Sequence, residues 1–237
     1  MVKSPYGLPA ECLDCHLRPD DFLCSLSAET LRAFDKIKHT AVLPQGAVIF
    51  VEGQKPSGIF MLCEGQAKLF TTSRQGRTLI LRIARQGEVL GFPAVVADTP
   101  YQLTAEAVQP CRLNFVSRED FLQFLKMHYD AFLHCAQQMS RNSERAYDVL
   151  RSIGLSHSIS GRVAKFLLDS ASGSPASNGA VRATLVLTHE EIGQLTGTCR
   201  ETITRTLARF RKKGVVELKG STLIIHNKLA LEQLVET

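Results

Sequence analysis

Cysteine is the residue type in this chain with the widest range of possible chemistry. The 237 residues include seven cysteines, and Cys12, Cys15 and Cys24 stand close together near the start. Cys12 and Cys15 form a C-x2-C pair, a spacing that suits metal ligation or a redox-active thiol pair. We therefore expect metal or redox chemistry in this segment. The other cysteines are Cys63, Cys111, Cys135 and Cys199.

The cysteine count also bears on the cellular compartment. An odd number of cysteines, in a chain whose first seven residues contain no apolar signal segment, argues against a structural disulfide framework. No apolar run approaches the roughly 18 residues of a membrane span. We therefore expect a cytoplasmic protein without membrane contact, in which Cys63 and Cys199 are small buried or turn residues.

A second group of candidate residues lies between residues 187 and 210, where the pattern is that of two short helices and a turn. Gly197 permits the tight turn, and apolar residues recur at helical spacing on both sides of it. The second helix then presents polar side chains near its start, where an arginine can bind guanine and a glutamate can accept from cytosine. The predicted DNA-contacting residues are Thr188, Thr198, Arg200, Glu201, Thr204, Arg205 and Arg209.

The positive charge of the chain is concentrated in the same region. The net charge is +5, from 28 basic and 23 acidic residues, and residues 155–237 hold 11 of the basic and 7 of the acidic ones. A basic excess in the last third indicates a polyanionic partner. We therefore predict double-stranded DNA as a partner.

The elements that must position these residues fall into four predicted segments of an α+β protein. Residues 1–27 form a cysteine-rich leader, 28–127 an antiparallel β-roll, 128–154 a long helix and 155–237 a winged helix-turn-helix. Glycines punctuate short apolar runs in the second segment, as in a sandwich or barrel. In the last segment, two helices precede a β-hairpin. The predicted strands of the roll are 48–51, 58–62, 68–71, 78–83 and 111–116.

The predicted long helix carries an apolar seam with alternating steps of three and four residues. A seam of this length favours a parallel homodimeric coiled coil; the other interpretation is a helix that lies on its own β-domain. Gly154 is predicted to end the helix. The seam residues, one of them a polar asparagine, are Phe132, Cys135, Met139, Asn142, Ala146, Val149 and Ile153.

These features resemble the CRP/FNR superfamily of bacterial transcription regulators. The β-roll, the long helix and the winged helix-turn-helix with its segment from Arg200 to Arg205 carry the resemblance over residues 28–235. It implies a jelly-roll-like fold of the cyclic-nucleotide-binding type and a homodimer on a palindromic operator. It also implies that Glu201 and Arg205 read a TGA core, with Arg200 favouring a TGTGA-like half-site. The loop of residues 73–77 is expected to contact RNA polymerase or to be a solvated hairpin tip.

The resemblance also suggests what the β-roll senses. Cyclic-nucleotide binders of this family use an Arg-Ser pair for the phosphate, whereas residues 86–111 contain no Lys or Arg and Phe92 replaces a glutamate. We therefore expect no cyclic nucleotide. Oxygen-sensing FNR-type members hold a 4Fe–4S cluster on three N-terminal cysteines and one on the roll. The residues that follow this order are Cys12, Cys15, Cys24 and Cys111.

Other interpretations of these cysteines stay open: a zinc ion on four thiolates, a reversible thiol switch, or no cofactor. With a cluster, anaerobic conditions would hold the leader on the roll and favour the dimer, and oxygen would release the DNA. The chain has no evident nucleophile–base arrangement and no G-x4-GK phosphate loop, so we expect no enzymatic activity.

Overall fold

The computed structural model describes residues 12, 13, 15, 25–155, 158–173, 176–177 and 180–236. The chain divides into two units, residues 1–71 with 82–144 and residues 72–81 with 145–237. The division between them falls within the long helix, at residue 144. The domain boundaries that the sequence suggests, at residues 27, 127 and 154, stay predictions.

Two antiparallel sheets form the β-roll of the N-terminal half, and this confirms the predicted α+β fold. Their strand orders are β1-β8-β3-β6 and β2-β7-β4-β5. The strands are β1 (His39–Leu43), β2 (Val48–Phe50), β3 (Gly58–Glu64), β4 (Ala67–Thr72), β5 (Thr78–Ala84), β6 (Val89–Leu90), β7 (Thr104–Ala107) and β8 (Cys111–Ser117). The helices are α1 (Ala28–Ile37), α2 (Phe92–Ala97), α3 (Arg118–Met127) and α4 (Tyr129–Leu155).

The first sheet separates two hydrophobic cores, because successive side chains of a strand point to opposite faces. On β8, Cys111 and Leu113 belong to the core between the sheets. Val116 belongs instead to the core that the sheet forms with the helices. The strand β3 alternates in the same way, with Leu62 toward the roll interior and Met61 toward the helices. Each face of β8 therefore has a different environment.

Helix α1 is connected to the first turn of α4 by hydrogen bonds. The Thr30 hydroxyl donates to Asp130 Oδ1 at 3.1 Å and to Oδ2 at 2.9 Å, and the Ser27 amide donates to the same carboxylate. Against the effect of partial burial, these hydrogen bonds lower the pKa of Asp130. These contacts hold α1 against the start of the long helix.

The long helix departs from its predicted packing. It begins at Tyr129 and continues through Gly154 to Leu155, so glycine does not end it. Cys135 is only 1% exposed and belongs to the core of its own β-roll, which corrects its assignment to an open seam. Phe132 and Met139 remain 46% and 40% exposed. Ala146 is also exposed, Asn142 is half-buried, and the side chains of Val149 and Ile153 lie outside the described part.

The second unit contains the predicted winged helix-turn-helix. Its sheet has the order β11-β12-β10-β9 and packs with the helices around one hydrophobic core. The helices are α5 (Ile159–Ser170), α6 (His189–Thr196), α7 (Arg200–Lys212) and α8 (Lys228–Glu236), and the strands are β9 (Ala176–Ser177), β10 (Ala180–Thr184), β11 (Val216–Lys219) and β12 (Thr222–Ile225). None of the helices in the described ranges has the length and apolar composition of a membrane span.

Gly58 lies on β3 opposite Ser117 of β8, and it provides a test of the roll's packing. A Cβ atom at Gly58 would lie 2.1 Å from the Val116 carbonyl oxygen, which is backbone and cannot rotate away. We predict that Gly58→Ala lowers the free energy of unfolding by about 3 kcal/mol or more, because overpacking a rigid site forces the backbone to shift.

Gly154→Ala is the matched control. A Cβ at Gly154 would meet no atom within 4 Å, so alanine there should stabilise the helix by up to about 1 kcal/mol. Urea denaturation of both variants, followed by circular dichroism, measures the difference. Equal denaturation midpoints for the two variants would show that β3 and β8 do not approach each other this closely.

Candidate DNA-binding surface and cysteine site

A capping box and a close helix–turn contact hold the helix-turn-helix in place. The Glu191 amide donates to the Thr188 hydroxyl, and the Thr188 amide donates to the Glu191 carboxylate at 2.9 Å. Gly197 ends α6 with φ of 67°, a left-handed conformation that favours glycine. A Cβ at Gly193 would lie 2.8 Å from the Thr198 carbonyl oxygen, so only glycine lets the turn pack this tightly. These contacts fix the direction of α7.

Helix α7 buries one face and exposes the predicted DNA-reading residues on the other. The buried face consists of Ile203, Thr206, Leu207 and Phe210. Among the predicted DNA-contacting residues of this helix, every one is exposed: Arg200, Glu201, Thr204, Arg205 and Arg209. Thr188 is exposed and Thr198 is half-buried. The N-terminal part of α7 thus exposes positively charged donors and a negatively charged acceptor on one surface.

Hydrogen bonds order several side chains on this surface. His189 Nδ1 and the Thr204 hydroxyl are 2.9 Å apart, and that hydroxyl also donates to the Arg200 carbonyl. The guanidinium of Arg205 donates to Thr202 at 3.4 Å. The pKa of Glu201 is lowered by a hydrogen bond from its own backbone amide, by the Cys199 thiol and by the neighbouring arginines. Glu201 is therefore a carboxylate that can accept from a base edge at neutral pH.

Basic residues extend the surface beyond the reading positions. Arg211, Lys212 and Lys213 at the end of α7 are exposed, which suits contact with phosphates. The Arg209 guanidinium donates to the Ser160 hydroxyl at the start of α5. The strands β11 and β12 form the wing and turn at Gly220, whose φ is 58°.

Cys12 lies in a buried polar setting between α1 and β8. Its backbone amide donates to both carboxylate oxygens of Asp35, at 3.1 and 3.0 Å. Lys38 Nζ donates to Cys12 Sγ at 3.2 Å and forms an ion pair with Asp35 at 2.6 Å. Asn114 Nδ2 lies 3.9 Å from the same sulfur. Burial raises the pKa of the Cys12 thiol to about 12, although Lys38 opposes the rise.

Cys15 contacts a buried arginine on the same face of β8. The Arg112 guanidinium donates to Cys15 Sγ at 3.7 Å. Arg112 is only 6% exposed, and its Nε has no hydrogen-bond partner among the described residues. The Cys15 amide donates to the Cys12 carbonyl at 3.4 Å, so a turn brings the two cysteines together. This arginine was not identified from the sequence, since its strand neighbours are apolar.

The structure does not bring Cys111 together with the other predicted cluster ligands. Cys111 occupies the roll-interior face of β8, where its thiol donates to the Gln66 and Gln109 carbonyls, both at 3.2 Å. Cys12 and Cys15 lie against Asn114 and Arg112, which point to the opposite face. Cys24 lies outside the described residues. As arranged here, the described thiols do not fit a 4Fe–4S cluster bound by the predicted set, and in the described ranges no three His, Cys, Asp or Glu side chains form a metal-binding group.

Cys63, which sequence reasoning set aside, shares the core on the side of Cys12. Its side chain packs against the core that contains Cys12, and Leu13 packs there as well. The alternation of β3 carries the signal that was missed, because Cys63 follows Ile59 and Met61 at steps of two residues.

An aromatic side chain fills the roll interior within residues 86–111, the stretch that was compared above with the phosphate site of cyclic-nucleotide binders. Tyr101 is 4% exposed, stacks on Phe50 with ring centroids 4.2 Å apart, and donates its hydroxyl proton to the Gly58 carbonyl at 2.7 Å. It lies so near the start of α2 that a Cβ at Gly91 would be 2.9 Å from its ring. Burying a phosphate there without a cation would be costly.

Two family models match the chain, and their boundaries follow the two parts of the fold. Residues 40–128 match the cyclic nucleotide-binding domain, and residues 161–234 match the Crp-like helix-turn-helix domain. The chain is 27% identical over 183 residues to a CRP-like cAMP-activated global transcriptional regulator of Mycobacterium tuberculosis, covering 77% of this chain and 81% of the relative. It is 23% identical to the cAMP-activated global transcriptional regulator CRP of Pasteurella multocida, covering 83% of this chain and 94% of the relative.

Solved structures share the fold at lower sequence identity. FixK2 from Bradyrhizobium japonicum superposes with a TM-score of 0.74 at 20% identity, over 84% of this chain and 97% of that one. The regulator CLP from Xanthomonas campestris gives 0.73 at 18% identity, over 84% and 99%. With both domain models matched in order and the named relatives being transcriptional regulators, this chain belongs to the CRP/FNR family of DNA-binding transcription regulators.

Proposed function

We propose that this chain is a homodimeric regulator that binds a palindromic operator with TGA-core half-sites and acts on RNA polymerase in the cytoplasm. We further propose that its cysteine-bearing N-terminal segment receives a redox signal. The exposed N-terminal surface of α7 is the observation that carries the DNA-binding part. It offers Arg200, Glu201 and Arg205 to base edges while Ile203, Leu207 and Phe210 anchor the helix from behind.

The resemblance to the CRP/FNR superfamily implies the TGA core, and the chemistry of two neighbouring side chains supports it. Arg205 can form two parallel hydrogen bonds with guanine, and Glu201 can accept from the cytosine amino group of a base pair. They are four residues apart, which places them on the same side of the helix. Two copies of α7 in a dimer would read two half-sites in successive major grooves.

Replacing a base-reading arginine should reduce both affinity and sequence discrimination. We predict that Arg205→Ala weakens binding to a TGA-containing palindrome about 10- to 100-fold per half-site contact, because a base contact contributes about 1–3 kcal/mol. Fluorescence anisotropy at fixed salt with the palindrome and with a scrambled duplex gives both quantities.

Two further variants distinguish base recognition from sequence-independent attraction to the DNA phosphates. Arg211→Ala should weaken binding to both duplexes equally and lower the salt slope by about 1 for each protomer. Arg32→Ala, an exposed arginine of α1, should leave binding unchanged. If Arg205→Ala lost affinity equally for both duplexes, then Arg205 would be a phosphate contact and not a base reader.

The proposed dimer is formed through the exposed side of α4. Phe132, Met139 and Ala146 are spaced by seven residues and lie exposed on one side of the helix. Cys135 cannot contribute, since it is packed in its own roll. The Asn142 side-chain oxygen is buried without a hydrogen-bond partner in the described part of the chain. A second helix packed on this side would cover the apolar residues and supply a donor for Asn142.

A charge on this side of α4 should separate the protomers. We predict that Met139→Asp shifts the protein from dimer to monomer and weakens operator binding at least tenfold, because a carboxylate would be buried without a partner. Gln137→Asp places the same charge on the opposite side of the helix and should change neither quantity. Sedimentation equilibrium with an operator-binding titration tests both. A dimeric Met139→Asp protein would contradict this interface.

The geometry of the described cysteines favours thiol chemistry as the means by which the protein receives its redox signal. Cys12 and Cys15 share one site with Lys38 and Arg112, whereas Cys111 faces the roll interior. The 4Fe–4S cluster is the second candidate, on the strength of the order in which Cys12, Cys15, Cys24 and Cys111 occur. Its chemistry would be oxygen-dependent loss or conversion of the cluster. We propose that cAMP is not the signal, because Tyr101 fills the roll interior beside the start of α2 and no Lys or Arg lies within residues 86–111.

Metal analysis of anaerobically purified protein distinguishes the two candidates. We predict much less than one iron, acid-labile sulfide or zinc per chain, and no visible absorption that bleaches in air. About four iron and four sulfide per chain, lost in Cys111→Ser, would establish the cluster and overturn the thiol proposal. Reconstitution with iron and sulfide under the same conditions is the control for loss during purification.

A further inference from the structure

Arg112 carries a buried guanidinium, and a buried positive charge needs a negative partner. Removing such a charge from water without compensation costs several kcal/mol. Arg112 forms no ion pair with any described carboxylate, and its Nε has no hydrogen-bond partner there. The side-chain atom that it contacts is Cys15 Sγ, at 3.7 Å. Of the residues described around it, Cys15 is therefore the group whose sulfur the guanidinium can position by a hydrogen bond.

Cys12 is placed to react with an oxidised Cys15. The hydrogen bond from the Cys15 amide to the Cys12 carbonyl closes a four-residue turn, and the ends of such a turn lie within 7 Å of each other. A disulfide requires Cα atoms about 4.4–6.8 Å apart, and the turn places the two Cα atoms near this range. Cys15 is half-buried and Cys12 is buried, which makes Cys15 the more accessible sulfur.

We propose that Cys15 and Cys12 form a peroxide-reactive dithiol, in which Arg112 positions the Cys15 sulfur and Cys12 completes a disulfide. This inference rests on the proposed redox function and assigns its chemistry to named atoms. Arg112 is a positioning residue in this scheme, because it acts through Cys15.

The reaction balances with hydrogen peroxide as the oxidant. The Cys15 thiolate attacks one peroxide oxygen, the O–O bond breaks, and with one proton the products are a sulfenic acid and water. The Cys12 thiol then attacks the sulfenic sulfur, an S–S bond forms, and the hydroxyl leaves as water. The two sulfurs lose two electrons, and the peroxide is reduced to two waters.

Disulfide formation would change the contacts between Cys12 and helix α1. In the reduced state Cys12 accepts from Lys38 Nζ, and its amide donates to Asp35, so α1 is connected to the leader. Drawing Cys12 Sγ toward Cys15 breaks the contact with Lys38. Helix α1 is in turn connected to α4 through Thr30 and Asp130. Oxidation at the leader thus reaches the helix that we propose as the dimer interface.

The test begins with reduced, metal-free, full-length protein treated with hydrogen peroxide. After the remaining thiols are alkylated, peptide mapping should show Cys12 and Cys15 joined by a disulfide, with Cys111 and Cys199 alkylated. Arg112→Gln should slow the reaction about tenfold or more, because the guanidinium that positions the Cys15 sulfur is lost. Arg112→Lys should restore most of the rate, which a merely structural role of the arginine would not explain.

Matched variants keep the outcome interpretable. Cys15→Ser should remove the fast reaction, while Cys199→Ser and Cys111→Ser should react like the unmodified chain. Thermal melting of each reduced variant checks that it is folded. If Arg112→Gln does not fold, the reaction rate of Arg112→Lys tests the role of the arginine instead. A disulfide that involves Cys24 or Cys63, or an unchanged rate in a folded Arg112→Gln, would overturn the dithiol.

Operator binding is measured separately on the reduced and oxidised protein. A Cys12–Cys15 disulfide that leaves operator affinity unchanged would support the dithiol and contradict the redox part of the proposed function. Operator binding by the reduced protein, together with an unreactive Cys15, would support the regulator and overturn the dithiol.

Discussion

The alternation of side chains along β8 is the constraint on which the sensor half depends. This strand pairs with β1 on one side and β3 on the other, so its backbone is fixed from both edges. Cys111 and Leu113 then must face the roll interior, and Arg112 and Asn114 must face the helices. A slip of one residue would exchange the two sets and place a guanidinium in the apolar core, which the cost of burying a charge forbids.

The same alternation explains the polar surroundings of Cys12 and Cys15. Asn114 is oriented by Thr40, whose hydroxyl donates to its side-chain oxygen at 2.7 Å, and this leaves the Asn114 amide group toward Cys12. Together with Arg112 and with Lys38 at the end of α1, it makes the surroundings of the two cysteines polar, next to the apolar part of the same face. A segment with two thiols is a suitable partner for such a face, whereas an apolar segment would leave the charged groups without partners.

The roll also contacts α4 through a buried amide. Gln138 accepts from the Val89 amide at 2.9 Å and donates to the Val89 carbonyl at 2.8 Å, so its side chain pairs with the backbone of β6 as a neighbouring strand would. Val89 comes just before Gly91 and α2. With the Thr30–Asp130 contact, α4 is therefore held at two points by the N-terminal unit. The recognition helix depends on separate local features, since Gly193 and Gly197 set the turn before it.

The sequence by itself determined the elements whose signals are local. Glycine turns, apolar periodicity and the pattern around Gly197 identified the roll, the long helix and the winged helix-turn-helix, because these depend on residues close together in the chain. The short strands β1, β6 and β7 were missed, since they are held mainly by pairing with distant partners. Only the tertiary structure decided that Cys111 faces away from Cys12 and Cys15, that Cys135 packs on its own roll, and that Arg112 is buried beside a thiol. The order of cysteines along a chain carries no information about which face of a sheet each one occupies, and strand register determines that face.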